Sequence, residues 1–341
     1  MSKPIETHIL ALELSAKSLK LLQRDMAKNH IDLAHAEPIE IELLENEAAL
    51  TKTLKKMVKN YKGSLKTRNV VLSIPAEFAF IRTFQLVSEE NDVEGQIQWE
   101  IEQQGLAGEQ KLHIDWYPLP ADAAGEVSGV VQAGAEENLE EITTESDPPS
   151  EERGSVPSAR YLVVASETKR LTPILSALKK NKLNVRLCDV DVFALANVFL
   201  YSHPEAATGS FMLVDCSGER ALLCLLDSGR YIDSEIVSGL SFRSAEHALR
   251  SARRINERIT VMLTHHKREP LPLRLCGEHL SGQGEATKVL LETLGPDTDK
   301  INPFAVIGVA SDLQKQLNVL APAFAVATGL TLRFPEEGVG T

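Results

Sequence analysis

Residues 211–230, FMLVDCSGERALLCLLDSGR, hold two apolar runs joined by one polar turn and closed by another. The first run ends at Asp215, Ser217 and Gly218 reverse the chain, residues 221–226 return apolar, and Asp227, Ser228 and Gly229 turn it again. Short apolar runs bounded by Gly, Ser and Asp predict strands, so this is a hairpin with an acid near its tip. The same layout lies 202 residues earlier. Residues 9–12 lead into Glu13, Leu14 and Ser15, residues 19–22 run back, and Asp25 sits in the next turn. Under that shift Glu13 falls on Asp215, Ser15 on Ser217 and Asp25 on Asp227. Self-similarity at a fixed offset implies two related halves, each opening on such a hairpin. Two unrelated antiparallel hairpins would share much of the same pattern.

A chain of 341 residues exceeds one ordinary core and suggests two domains with room for an inserted third. Its formal charge of -12 repels a phosphate backbone, which argues against nucleic acid as a general partner. Cys188, Cys216, Cys224 and Cys276 lie singly in apolar runs, without a CxxC pair or histidines at metal-ligand spacing. They read as buried thiols in a reducing compartment. Glu6 and Glu13 interrupt what would be a signal's apolar region, and no uncharged apolar run reaches the roughly 18 residues of a membrane span. The expectation is a cytoplasmic chain without a span of its own.

After the first hairpin, residues 30–41 alternate as a strand does, and Leu50, Leu54, Met57, Val58 and Tyr61 recur at helical spacing. Residues 70–74 form a buried strand halted by Pro75. A strand over 80–87 precedes a helix over 89–104, and residues 114–118 close an ordered segment. Composition then changes: ten acids face one arginine in 121–157, with no aromatic residue. Such a stretch buries too little to offset its conformational entropy, so residues 121–158 are expected to be disordered. Order resumes with a strand at 161–165, a helix to 182, a strand at 185–190 and a helix that Asp191 is expected to cap. Beyond the second hairpin come a third strand to Val237, a helix over 244–266 with Arg250, Arg253, Arg254 and Arg258 outward, and a strand over 271–275. The alanine-rich 321–332 reads as a helix at a close packing seam.

The order of these motifs is more specific than any one of them. An acid-tipped hairpin, a strand ending Ser73-Ile74-Pro75, an inserted segment and Asp189-Val190-Asp191 come first. A second such hairpin, Gly239, a strand ending at Gly277, Asn302-Pro303-Phe304 and Gly329-Leu330-Thr331-Leu332-Arg333 follow. Taken together the chain resembles the PilM family, actin-like cytoplasmic proteins of type IV pilus assembly related in fold to FtsA. The cytoplasmic part of GspL, from type II secretion, is a near relative of that family. The resemblance implies an α/β, actin-like (ribonuclease H-like) duplicated fold. Residues 1–75, 159–205 and 318–335 would make the first subdomain, 76–158 an inserted one containing the acidic stretch, and 206–317 the second. Only one helix fits between Gly239 and Leu271, where PilM-like chains carry a small subdomain walling the nucleotide cleft.

In that fold the hairpin tips approach a nucleotide's phosphates, and the acids hold water around magnesium. The resemblance therefore makes Glu13, Ser15, Lys20, Asp215, Ser217, Gly218 and Gly277 the residues that would hold ATP and Mg2+ if nucleotide binding is retained. The family's Asp-x-Gly loops are here Glu13-Leu14-Ser15 and Asp215-Cys216-Ser217, so a serine stands in place of each glycine where the backbone should approach phosphate. Gly277 is followed by Glu278, a carboxylate in the nucleotide's path. These departures favour a scaffold with weak or lost nucleotide binding, no cofactor and no catalytic residue; the alternative is an active ATPase. The implied partners are the cytoplasmic tail of a PilN-like inner-membrane protein and a pilus motor ATPase. Such a tail would keep the chain at the membrane periphery, with Phe80, Arg82 and Phe84 as its expected binding residues.

Overall fold

The computed structural model describes residues 7–15, 17–87, 92–105, 110–120 and 158–333. The acidic stretch lies outside them, apart from Ser158. Compactness divides the chain into Met1–Ala79 with Ser166–Thr341, and Phe80–Ala165.

The first unit opens on strands β1 (His8–Leu14), β2 (Ser18–Asp25) and β3 (His30–Pro38), then helices α1 (Glu42–Glu45) and α2 (Glu47–Asn60), and strand β4 (Asn69–Ile74). Asn46 caps α2 by accepting the Ala49 N–H, and the helix turns Leu50, Leu54 and Met57 inward. The second unit holds β5 (Ala79–Val87), α3 (Val93–Gln103), β6 (Leu112–Leu119) and β7 (Ser158–Glu167), its strands ordered β5-β7-β6. Its core packs Ile97 and Ile101 of α3 on Phe84, Leu86, Val163 and Ala165. Helix α3 starts at Val93, four residues beyond the expected Glu89, because Asp92 caps it by accepting the Gly95 N–H.

The chain returns through α4 (Thr168–Lys180), β8 (Asn184–Val190) and α5 (Asp191–Ser202) to β9 (Ser210–Ser217), β10 (Arg220–Asp227), β11 (Arg230–Ser238) and α6 (Ala245–His265). Then come β12 (Leu273–Cys276), α7 (Glu285–Leu294), β13 (Thr298–Lys300), β14 (Gly308–Val309), α8 (Ser311–Leu320) and α9 (Ala325–Leu330). One mixed sheet runs β14-β3-β2-β1-β4-β8 and the other β11-β10-β9-β12-β13. Within each, three antiparallel strands pass to two parallel ones, β1 to β4 to β8 and β9 to β12 to β13.

The repeat extends to register. Glu13 pairs with Lys20, and 202 residues on Asp215 pairs with Leu222. A β-bulge falls between Gln23 and Arg24 in the first sheet and between Leu225 and Leu226 in the second, at the same offset. Bulges occupy set positions because an extra residue re-aims the strand. A match of strand order, pairing and bulge goes beyond what two unrelated hairpins would share.

Helix α9 packs on α5 and β1. A side chain at Gly329 would place its Cβ 1.8 Å from the Ala194 carbonyl oxygen, so the helices meet at backbone distance. The expected single helix over 321–332 is a 3-10 turn (Ala321–Phe324) followed by α9. Two further expectations are corrected. Asp191 does not cap α5, since Val190 holds the cap position and makes no side-chain bond there; the carboxylate is drawn instead to Arg220. Cys188 is exposed, because β8 is an edge strand whose Asn184, Arg186 and Cys188 face out in alternation. The other three cysteines are buried.

Candidate functional site between the two hairpins

Antiparallel pairing sets Lys20 directly opposite Glu13, and both side chains are buried. The Lys20 ammonium donates to Glu13 Oε1 at 2.6 Å and lies 3.6 Å from Glu278 Oε1. Glu13 Oε2 accepts the Ala327 N–H at 3.0 Å, in the first turn of α9. Burial pushes the Glu13 carboxyl up to about 7 against the pull of Lys20, and Asp215 and Glu278 add to the rise. Burial works against the Lys20 charge too, but Glu13, Glu278 and Asp215 outweigh it and raise its pKa. Burial likewise opposes the Glu278 charge, yet Lys20, the Ser18 hydroxyl and His279 hold that carboxyl below its usual range.

Glu278 gets there because of Gly277. That residue sits at φ 103°, and a Cβ would lie 2.3 Å from Asp215 Oδ1 and 2.4 Å from the Cys216 carbonyl. Across the gap the Ser217 hydroxyl donates to Asp215 Oδ1 (2.6 Å) and accepts the Glu278 N–H (3.3 Å). Ser15 is turned inward: its hydroxyl donates to the Ser18 carbonyl and lies 2.9 Å from the Ser18 hydroxyl. The Lys17 side chain crosses to Gly218, in the turn of the second hairpin. His279 stacks on Phe242 with ring centroids 4.3 Å apart, and its Nε2 lies 2.7 Å from the Gly218 carbonyl. So the seven residues expected at the phosphates lie around Glu278: Glu13 bonds Lys20 and Ser217 bonds Asp215, Lys20 and Ser217 reach Glu278 itself, and Ser15 and Gly218 are held by Ser18 and His279.

A second charged group, which the sequence does not announce, lies beside the first. Arg220 of β10 is buried; its Nε donates to Glu77 (3.0 Å) and its Nη2 to Asp191 Oδ2 (2.7 Å). Burial pushes Asp191 up to about 6, Arg220 opposes this, and Glu77 and Asp215 reinforce it. Arg220 Nη1, Glu77 Oε2 and Asp191 Oδ1 are left without a hydrogen-bond partner. The only signal in the sequence is a charged residue, Arg220, set directly before the apolar run 221–226.

Phe80, Arg82 and Phe84 lie on β5 of the second unit. Phe84 is buried beneath α3 and Phe80 packs partly against the same core. Arg82 is exposed, its guanidinium 5.1 Å from the centre of the Phe80 ring.

Sheet order, register and the paired hairpins can be set against solved structures. A PilM–PilN type IV pilus biogenesis complex matches over 95% of this chain and 98% of that one, with a TM-score of 0.70 and 20% identity. This chain has the actin-like fold of PilM. The cytoplasmic domain of EpsL, an inner-membrane component of the type II secretion system of Vibrio cholerae, matches over 96% of both chains (TM-score 0.50, 12% identity). No protein-family model and no curated protein matches the sequence. Among the described residues no helix is long and apolar enough to cross a membrane.

Proposed function

We propose that the chain is a cytoplasmic actin-like scaffold of a type IV pilus or type II secretion-like assembly, which binds the tail of a PilN-like inner-membrane protein and has weak or lost nucleotide binding. The observation that carries the second part is Glu278: a carboxylate of the chain's own second half lies at Lys20, the cation that would otherwise receive phosphate. A nucleotide would have to displace that carboxylate, push Lys17 off Gly218 and accept two serine side chains where backbone should approach. Residues so bonded do not fit a triphosphate, and the reading assigns them no cofactor and no catalytic role. The single helix α6 between β11 and β12 supports it further, because a reduced second subdomain leaves less wall to bury a nucleotide. We keep the division into 1–75, 159–205 and 318–335, the insert 76–158, and 206–317 as part of this proposal.

For the partner, the likeness to PilM in complex with PilN supports a PilN-like protein, and the docking of its short tail at β5 is our own placement. There Arg82 offers an exposed cation to a peptide carboxylate or carbonyl. Phe84 contributes through the core beneath the strand. A motor ATPase would engage the same scaffold. The competing reading, a working ATPase, is favoured by Glu13, Lys20 and Asp215 lying close together near the two hairpin tips. Titration calorimetry with ATP and magnesium separates the two: no binding tighter than about 10 μM, roughly 7 kcal/mol, is expected, and tighter binding overturns the scaffold reading. For the tail, Arg82→Ala is expected to weaken a PilN-like cytoplasmic peptide about tenfold, or 1.4 kcal/mol, with the melting curve unchanged.

A further inference from the structure

The second unit ends its sheet on β6, which pairs with β7 on one side and has no strand on the other among the described residues. Residues 113 and 115–118 of β6 are exposed, whichever face they point to. The chain's two tryptophans are both exposed on this unit, Trp99 at 57% and Trp116 at 39%, and Tyr117 is exposed at 66%. An edge strand presenting unpaired backbone groups is a template for another strand, and proteins guard such edges with charge, proline or a cover. Here the charge and the proline are placed so that one pairing of more than three residues escapes them.

Side chains alternate across a strand. Leu112 and Ile114 pack toward the core under α3, and Trp116 continues that face edge-to-face with Tyr161, centroids 5.7 Å apart. A symmetric antiparallel pairing of two β6 strands that keeps this face continuous must set one residue opposite itself. Centring on Asp115 opposes two carboxylates, which is destabilising. Centring on Trp116 draws Pro118, which has no N–H to give, into the ladder against Ile114. Centring on His113 avoids both but keeps only residues 112–114 of β6 in the ladder, whereas centring on Ile114 avoids both and keeps 112–116. Each His113 then meets the Asp115 carboxylate of the other strand, Leu112 meets Trp116, and Pro118 falls beyond the 112–116 ladder.

We infer that β6 is a self-recognition edge: two copies of the chain pair β6 with β6 about Ile114, joining their three-stranded sheets into one of six strands. His113 and Asp115 fix the register, and the Leu112–Trp116 contacts bury the exposed apolar surface. The inference concerns the edge opposite β5 and is independent of nucleotide or tail binding.

Sedimentation of the full chain between about 5 and 100 μM is expected to approach twice the 37.4 kDa of one chain. His113→Asp opposes two carboxylates and is expected to raise the dimer dissociation constant at least about tenfold. Its melting curve should stay like the parent's, since His113 is exposed. Mixing His113→Asp with the separately weakened Asp115→Lys is expected to restore a heterodimer. On one side of the axis the introduced carboxylate then meets the introduced ammonium, and on the other the parent pair of His113 and Asp115 is kept. In a Cys188→Ser background, Ile114→Cys is expected to oxidise to a linked dimer, as self-opposed residues lie within disulfide reach. Tyr117→Cys, six residues out of register with itself, is not. A monomer at every concentration, a dimer indifferent to His113→Asp, or equal linking at 114 and 117 would overturn the inference.

Discussion

The two buried charged groups near the hairpin tips are built crosswise and finished differently. At the first, a cation from the first half, Lys20, reaches an acid of the second half, Glu278, while bonding its own strand partner Glu13. At the second, a cation from the second half, Arg220, reaches two acids of the first, Glu77 and Asp191. Around Lys20 both Glu13 oxygens are bonded, one to the ammonium and one to an α9 N–H. Around Arg220 each of the three side chains keeps an unpartnered atom. Buried pairs recover their desolvation cost only when geometry and remaining hydrogen bonds are complete. The Lys20 group is thus the better-satisfied tie between the halves, and the Arg220 group holds more of its desolvation uncompensated.

Breaking the first tie gives the largest expected effect. Lys20→Met strands the Glu13 carboxylate in the core and is expected to cost about 3–5 kcal/mol near neutral pH, read from chemical denaturation. The pH dependence sharpens this. The folded value of about 7 for Glu13 lies above its ordinary 4.5, so the native state holds that proton more tightly. The linked stability is fully present below pH 4.5 and is lost as pH rises through 7. Without Lys20 only the Ala327 N–H is left to favour the carboxylate against burial, so the deficit of the variant is expected to shrink at about pH 5, and adding Glu13→Gln should remove much of it. A deficit equal at both pH values would mean that Lys20 acts through packing.

Arg220→Met is expected to cost less, about 3 kcal/mol, because Glu77, unlike Glu13, is partly exposed and can turn toward solvent. Equal costs at Lys20 and Arg220 would erase the distinction between the two groups. The smallest effect is expected at Ser217. Its hydroxyl joins Asp215 to the Glu278 backbone, so Ser217→Ala should cost about 1 kcal/mol, seen as a melting-temperature drop of a few degrees.

How far such groups can be read from sequence depends on how local they are. The hairpins are legible because apolar runs and turn residues within a short stretch define them, and the offset of 202 aligns even the bulges. Lys20 and Glu13 are legible as opposite neighbours in one hairpin, and Gly277-Glu278 as a departure from a pattern. Asp191 misleads as a cap because an acid before a helix normally serves as one. Its actual partner lies 29 positions away, a distance at which no local pattern speaks. The short strands β13 and β14 carry no alternation; Thr298, Asp299 and Lys300 are a strand only because β12 lies beside them. Phe80 and Phe84 show the converse limit, since an aromatic pair flanking a cation suits a binding edge and a core equally.

The seam between α5 and α9 also sets an order of events during synthesis. Glu13 is among the first strand residues to emerge, yet the N–H that satisfies its second oxygen belongs to Ala327, 314 positions later. At roughly 5–20 residues per second, tens of seconds separate the two. Throughout that interval the first hairpin is held without the last helix of its own half, and the acid destined for burial stays open to water. A nascent chain of this design completes its first half only after its second half has been made.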